Sequence, residues 1–422
     1  MSARTRRSAS GEHGGLLLVV VLILALGASI VMLSQRDLAA DARLRAQTRS
    51  VAALAQARAA LLGYAASYAE SHPGEGYGYL PCPDTDNDGS SDGACLSKTR
   101  GVLGRLPYRT LGLADLRDGW GDCLWYAVAG SIKNNPKPDE LNWDSPGQFE
   151  LIDHGGRALT VAGDPAARAV AVILAPGIAR AGQARPFAGQ RCPGSAHAAA
   201  DLAAFLDPPY PSALDGTHSF QQGTADSATN NDLLTWITVD DIFDLLRRRP
   251  DFAALIDGIL DRAEAAFGKW LGTANSTDLF LPHADRVVGA LATGVLPTAA
   301  ALAIANDPKN LHDHWRRQVR FAACVDGSAC LHAALEESVS SPGTIAPQPC
   351  RAVLLFGGER IRSGAGAQRR QSAAERADPA QFLEGDNATN LNAGVPVFAG
   401  YRRFAVADPA HPATADIIRC LD

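Results

Sequence analysis

The stretch LLLVVVLILALGASIVML, Leu16 to Leu33, is interrupted by a polar side chain only at Ser29. At about 1.5 Å per residue it reaches roughly 27 Å, enough for a hydrocarbon core. Arg4, Arg6 and Arg7 precede it, so the positive-inside bias predicts a cytoplasmic N-terminus with the rest of the chain outside. A cleaved secretory signal has the same layout but a shorter apolar region ending in a small-x-small site. This run instead ends in Ile30-Val31-Met32-Leu33-Ser34-Gln35, which favours a retained anchor.

The helical pattern continues beyond the run. Leu38, Leu44, Val51, Leu54, Ala57, Leu61, Leu62, Ala65 and Tyr68 recur mostly at spacings of three and four, with Arg43, Arg45, Arg49, Gln56 and Arg58 between them. This is one amphipathic stripe. No proline falls between Gly15 and Ala69, and only Gly27 and Gly63 weaken the interior. The reading is a single helix roughly 80 Å long, its first half suited to lipid and its second to a protein core. A tether followed by an ordinary helix or coiled coil fits the same pattern.

Composition places the remainder among globular chains. The apolar set is 46% and charged residues 20%, with 40 Gly and 25 Pro for turns, so a core can form. The net charge of −6 gives no basic footprint, and no nucleic-acid partner is expected. All eight cysteines follow the apolar run, which suits an oxidising compartment.

The most chemically specific segment is Leu80-Pro81-Cys82-Pro83-Asp84-Thr85-Asp86-Asn87-Asp88-Gly89-Ser90-Ser91-Asp92-Gly93-Ala94-Cys95. Asp84, Asp86 and Asp88 alternate and precede a glycine, as in the first half of an EF-hand calcium loop, where such oxygens converge and glycine makes the sharp turn. Asp92 follows at the ninth loop position, but the twelfth, a bidentate Glu in an EF-hand, is Cys95. A Cys82–Cys95 bridge would close the loop in place of the second helix. The expected ion is calcium. A solvated Asp/Asn/Gly turn without an ion fits the same residues.

Downstream lie Leu106-Pro107-Tyr108, Leu111-Gly112-Leu113, Asp118-Gly119-Trp120-Gly121 and Trp125-Tyr126-Ala127-Val128. With the N-terminal helix and the Leu-Pro-Cys-Pro-Asp loop, these segments resemble type IV pilin-like proteins of the minor pilin or type II secretion pseudopilin kind. The resemblance implies a long helix packed on an antiparallel sheet, assembly through the membrane half, and prepilin processing at Gly14 or Gly15. The chain departs from the family pattern there: cleavage after Gly14 places Gly15 first and Val19 fifth, where the family carries Phe and Glu. That favours a tip or accessory subunit over a shaft subunit.

A repeat organises the remainder. Ala169 to Gly177, Gly182-Gln183-Ala184-Arg185 and Phe205-Leu206-Asp207 are echoed by Arg351 to Gly358, Gln368-Arg369-Arg370 and Phe382-Leu383-Glu384. A helix over Asp251 to Leu271 would replace the soluble half of the first helix, and Thr238 with Asp241 reads as a capping box before it. The expected organisation is a basic cytoplasmic leader at 1–14, a transmembrane plus amphipathic helix at 15–70, and globular domains at 71–249 and 250–422, the second a tandem duplicate. The expected class is α+β, a long N-terminal membrane-spanning helix packed on an antiparallel sheet with a second α+β head.

Cys324 and Cys330 are close enough in sequence to bridge a hairpin; Cys123, Cys192, Cys350 and Cys420 have no assignable partners. His312 and His314 read as part of an exposed turn rather than a zinc site. Hydrolase, zincin, Walker and dinucleotide motifs are missing, so the chain is not read as an enzyme. The leading functional expectation is a component of a type IV pilus or type II secretion filament. It would sit in the inner membrane by a single pass, its globular part periplasmic or at the cell surface, with the membrane, pilin or pseudopilin subunits and assembly proteins as partners. An anchored adhesin-like module comes second and a membrane-tethered periplasmic enzyme third.

Overall fold

Ala53, Leu54, Ala57, Leu61, Ala65 and Tyr68 form the buried face of helix α1, which runs Glu12–Ser71. The computed structural model describes residues 12–160, 164–185, 192, 198–208, 210, 214–224, 227, 229–273, 284–304, 307, 311–338, 341–364, 366–404 and 415–422. Arg4, Arg6 and Arg7, and with them most of the expected leader, lie outside these residues. Small side chains on α1 allow close approach: Gly119 packs where a Cβ would meet Ala46 O at 1.8 Å, and its N–H donates to Ser50 Oγ at 2.9 Å.

The N-terminal half of α1 corrects the sequence reading. Among the described residues, no helix is long and apolar enough to cross a membrane. The α+β class holds as two sheets with packed helices; the membrane-spanning helix does not. The pilin-like resemblance needs that helix and is overturned with it. So are the filament and anchored-module functions, the single-pass inner-membrane location, and the membrane, pilin subunits and assembly proteins as partners. Leu17, Leu18, Leu22 and Leu24 are exposed to solvent.

The first sheet is built around strand β4, Ala169–Ala175, whose seven side chains are all buried. An unbroken apolar run suits a strand covered on both faces. β1 (Val102–Arg105) pairs antiparallel with β2 (Trp125–Val128), and β2 with β4. β3 (Phe149–Ile152) meets β4 at Phe149↔Ala169 and runs parallel to β5, His218–Gln221. Helix α2 spans Ala198–Phe205. β6 (Leu233–Thr238) pairs antiparallel with β4 and leads into α3, Val239–Leu246. The Thr238 hydroxyl accepts the Asp241 N–H while the Asp241 carboxylate accepts the Thr238 N–H, a closed capping box.

α4 begins at Pro250, where a missing N–H costs nothing, and runs to Thr273. The second sheet follows: β7 (Arg286–Val288), β8 (Leu291–Val295), β9 (Val319–Cys324), β10 (Leu331–Ser338), β11 (Ser341–Cys350), β12 (Ala352–Phe356), β13 (Val397–Arg403) and β14 (Ile417–Leu421). Their spatial order is β11-β10-β13-β14-β12-β9-β8-β7. Short helices α5 (Leu311–Trp315), α6 (Ala373–Ala377) and α7 (Gly385–Ala393) lie in the connections. The antiparallel series β8-β9-β12-β14 follows the same order as β1-β2-β4-β6. The first sheet also holds one parallel pair, β3 with β5, and the second holds two, β10 with β13 and β13 with β14 at Tyr401↔Ile417. α1 packs on β6 and α4 on β14.

One hydrophobic core runs through both sheets, from Ala53 to Leu421. Trp143, between β2 and β3, is its centre: the ring meets Trp315 edge-on at 4.6 Å and lies within 6.4 Å of Phe243, Phe252, Phe356 and Phe404. Aromatic quadrupoles favour such tilted contacts. Beside it the buried Arg360 makes two bonds to the half-buried Asp240, at 3.1 and 2.9 Å, so the two sheets are also joined by an ion pair.

Candidate metal centre

Asp84 is held by β1 before any ion is considered. Its backbone N–H donates to Arg105 O at 3.0 Å, and its carbonyl accepts the Arg105 N–H at 2.8 Å. The side chain turns back into its own loop. Oδ1 accepts the N–H groups of Asn87 (2.6 Å) and Asp88 (3.3 Å), and Oδ2 that of Gly89 (2.7 Å). Asn87 and Gly89 take positive φ, 64° and 89°, conformations that Asn tolerates and Gly adopts freely. Gly89 is required for space as well: a Cβ would meet the Tyr108 ring at 2.6 Å.

The result is a tight turn that gathers three carboxylates. One oxygen each from Asp84, Asp86 and Asp88 lies within 4.8 Å of the others, with Asp84 buried and the other two exposed. Such a cluster can hold a metal ion, and a set of oxygens alone suits a hard divalent cation rather than zinc or copper. Burial pushes the Asp84 carboxyl up to about 6, against the opposing pull of the Gly89, Asn87 and Asp88 N–H groups. A cation beside it would favour the charged form. Asn87 Oδ1, in the same turn, is buried without a hydrogen-bond partner.

The turn is fixed to its surroundings on several sides. Cys82 and Cys95 form a disulfide that closes the loop. Asn87 Nδ2 donates to Cys192 O at 2.9 Å, Arg109 N–H to Gly89 O at 2.9 Å, and Ser91 N–H to Thr110 Oγ1 at 2.7 Å. Asp92 is elsewhere: its carboxylate accepts the Thr85 hydroxyl and closes a small ring within the loop. Spacing alone puts Asp92 in the ligand set because it does not reveal this neighbour.

Cys324 and Cys330 are bridged, and so are Cys123 with Cys192 and Cys350 with Cys420, separated by 69 and 70 residues. No local spacing signals the last two pairs. Asp115 lies close to the Cys123 and Cys192 sulfurs, but a disulfide offers no thiolate to a metal. Gly14 and Gly15 fall near the start of α1, where Gly15 is exposed and a Cβ added to it would meet nothing within 4 Å. Their expected processing rested on the pilin-like resemblance.

His312 and His314 are buried in α5 rather than exposed in a turn. His314 Nδ1 accepts the Leu141 N–H at 3.0 Å, which places the ring proton on Nε2, 3.1 Å from Tyr79 Oη. His312 Nε2 bonds Pro297 O at 2.8 Å. Both tie loops together.

The repeated Gln, Arg and Phe-Leu residues are structural brackets. Gln183 Nε2 donates to Leu206 O at 3.5 Å, and Gln368 Nε2 to Leu383 O at 3.4 Å. Arg185 Nη1 donates to Gly177 O at 2.6 Å, and Arg370 Nη1 to Gly358 O at 2.9 Å. The Arg185 guanidinium lies 5.5 Å from the Phe205 ring centre and that of Arg370 4.6 Å from Phe382. The Asp207 N–H donates to Asp232 Oδ2 at 2.7 Å, the Glu384 N–H to Asp416 Oδ2 at 3.0 Å. Buried guanidinium groups surrounded by carbonyls and a ring hold loops in place without an exposed charge to offer a substrate. The chain matches no family model, no curated protein and no solved structure.

Proposed function

We propose that this chain is a calcium-binding protein, with the ion held by Asp84, Asp86 and Asp88 in a structural, non-catalytic role. The observation that carries this reading is the Asp84 turn, already folded so that three carboxylates converge. Calcium accepts irregular oxygen shells completed by carbonyls and water, whereas magnesium demands near-ideal octahedral geometry. Three carboxylates without a bidentate Glu place the affinity at the weak end, a Kd of about 10⁻⁴–10⁻³ M. The ion would stiffen a junction where the loop meets β1 and the Cys192 backbone. The paired brackets around Arg185 and Arg370 support a tandem duplication in which the first half alone carries the cation loop.

Calorimetric titration of chelator-treated protein with calcium tests the reading. At 10 mM calcium the expected stabilisation is about 1.4–2.7 kcal/mol, lost in an Asp86→Asn/Asp88→Asn variant that is equally stable in chelator. The same melting temperature in calcium and in chelator, with no binding heat, would remove it.

A further inference from the structure

A groove of about 720 Å³ opens between α1 and loops of the first sheet, within the size range of small-ligand clefts. Among the described residues its lining contains two cations and no carboxylate. Arg180 is anchored to Asp207 and to Thr229 O. Arg43, on the exposed face of α1, makes no ion pair among the described residues. Trp120 offers a half-buried indole ring, and Gln47 an amide.

Asn231 is an independent pointer. It is 3% exposed, its Nδ2 donates to Ile178 O at 2.8 Å, and its backbone N–H to Asp207 Oδ2 at 2.8 Å, yet its Oδ1 has no hydrogen-bond partner. A buried acceptor left unmet is costly, and a ligand hydroxyl would relieve it.

We propose that this groove binds an acidic saccharide. The guanidinium of Arg43 matches a uronate carboxylate, because its planar fork donates two parallel hydrogen bonds. A pyranose ring presents an apolar C–H face to Trp120, and its hydroxyls serve the Asn231 oxygen and the Gln47 amide. An acidic peptide shares the charge but carries backbone N–H and C=O groups that need partners. No lining residue belongs to a strand that could supply a ladder.

The test is calorimetry and tryptophan fluorescence on the full chain with trigalacturonate, maltotriose and hexaglutamate as probes. Excess EGTA removes any calcium bridge through Asp84, Asp86 and Asp88, so the result is independent of the cation site. Trigalacturonate is expected to bind and maltotriose to bind at least ~10-fold more weakly, because the charge-assisted contact is missing. Arg43→Gln should weaken trigalacturonate binding by a similar factor with an unchanged circular dichroism spectrum, and Arg49→Gln on the same helix should leave it intact. Failure of trigalacturonate to bind, equal binding of maltotriose, indifference to Arg43→Gln, or preference for hexaglutamate would each overturn the proposal.

Discussion

The Asp144 carboxylate and the Arg370 guanidinium meet at 3.4 Å across the junction of the two sheets, their side chains 6% and 1% exposed. Gln318 Nε2 donates to the same carboxylate oxygen at 2.8 Å. Arg370 also reaches Gln381 O, Gln318 Oε1 and Gly358 O. Burial lowers the Arg370 pKa, opposed by Asp144. Removing one member of a buried pair leaves the other uncompensated, which costs about 3–5 kcal/mol. Because Arg370 keeps its carbonyl partners, Asp144→Ala is expected at the lower end, about 3 kcal/mol, with Asp144→Asn milder. Urea unfolding measures both; a loss within experimental error for Asp144→Ala would show that the pair does not hold the junction.

Trp143 makes the junction cooperative. Its ring is 1% exposed and touches aromatic side chains from α3, α4, α5 and β12. Neither sheet can bury this cluster alone, so both are expected to unfold in one transition. Near-ultraviolet and far-ultraviolet circular dichroism should give coincident curves, and Trp143→Ala should lower stability by about 3–5 kcal/mol while keeping them coincident. Two separated transitions in the native chain would show that the halves are energetically independent.

Much of the local structure is legible in the sequence. Ala169–Ala175 and Ala352–Phe356 are unbroken apolar runs bounded by turn residues, and both are buried central strands. Thr238 with Asp241 is a short-range signal with a direct backbone cause. The alternating acids at 84, 86 and 88 announce their convergence, since the turn is made by the residues between them. Tertiary partners are not legible. Arg105 and Lys133 are fully buried, although charge alone argues for the surface. Lys133 Nζ is enclosed by the carbonyls of Cys95, Ser97 and Arg100, an arrangement no spacing reveals. The same blindness puts His312 and His314 in solvent and assigns Asp92 to the cation. The membrane reading fails differently: among the described residues, no helix is long and apolar enough to cross a membrane.

Three carboxyls, Asp118 and Asp416 buried and Asp240 half-buried, give the protein a pH signature. Burial pushes Asp118 and Asp240 up to about 6 and Asp416 up to about 7, against local hydrogen bonds and, at Asp240, against Arg360 and Arg362. A carboxyl whose folded pKa exceeds its unfolded value keeps its proton longer in the folded state. Its contribution is complete below about 3.8 and is lost as pH rises through about 6–7, at up to about 1.4 kcal/mol per unit for each group. Asp416→Asn mimics the protonated form. Its melting temperature relative to the native chain should therefore climb between about pH 4 and pH 7, measured in chelator to keep the cation loop silent. A difference that stays flat or falls with pH would contradict the assignment.

The Cys82–Cys95 bridge closes a segment of 13 residues around the cation turn. Such a closure restricts the unfolded chain by about 3 kcal/mol. It acts on the folded loop as well, because Pro83 and Asp84 follow Cys82 directly, and the Cys95 N–H is anchored to Asn135 O at 3.1 Å. A Cys82→Ser/Cys95→Ser variant should lose stability in chelator and also bind calcium about 10-fold more weakly, since part of the binding energy must then order the turn. Asp86→Asn/Asp88→Asn separates the two effects by removing the ion without loosening the loop. Chelator-state stability and calcium affinity, measured on both variants, give the comparison. If the serine variant binds calcium as tightly as the native chain, the turn is held by Asp84 and its N–H partners alone.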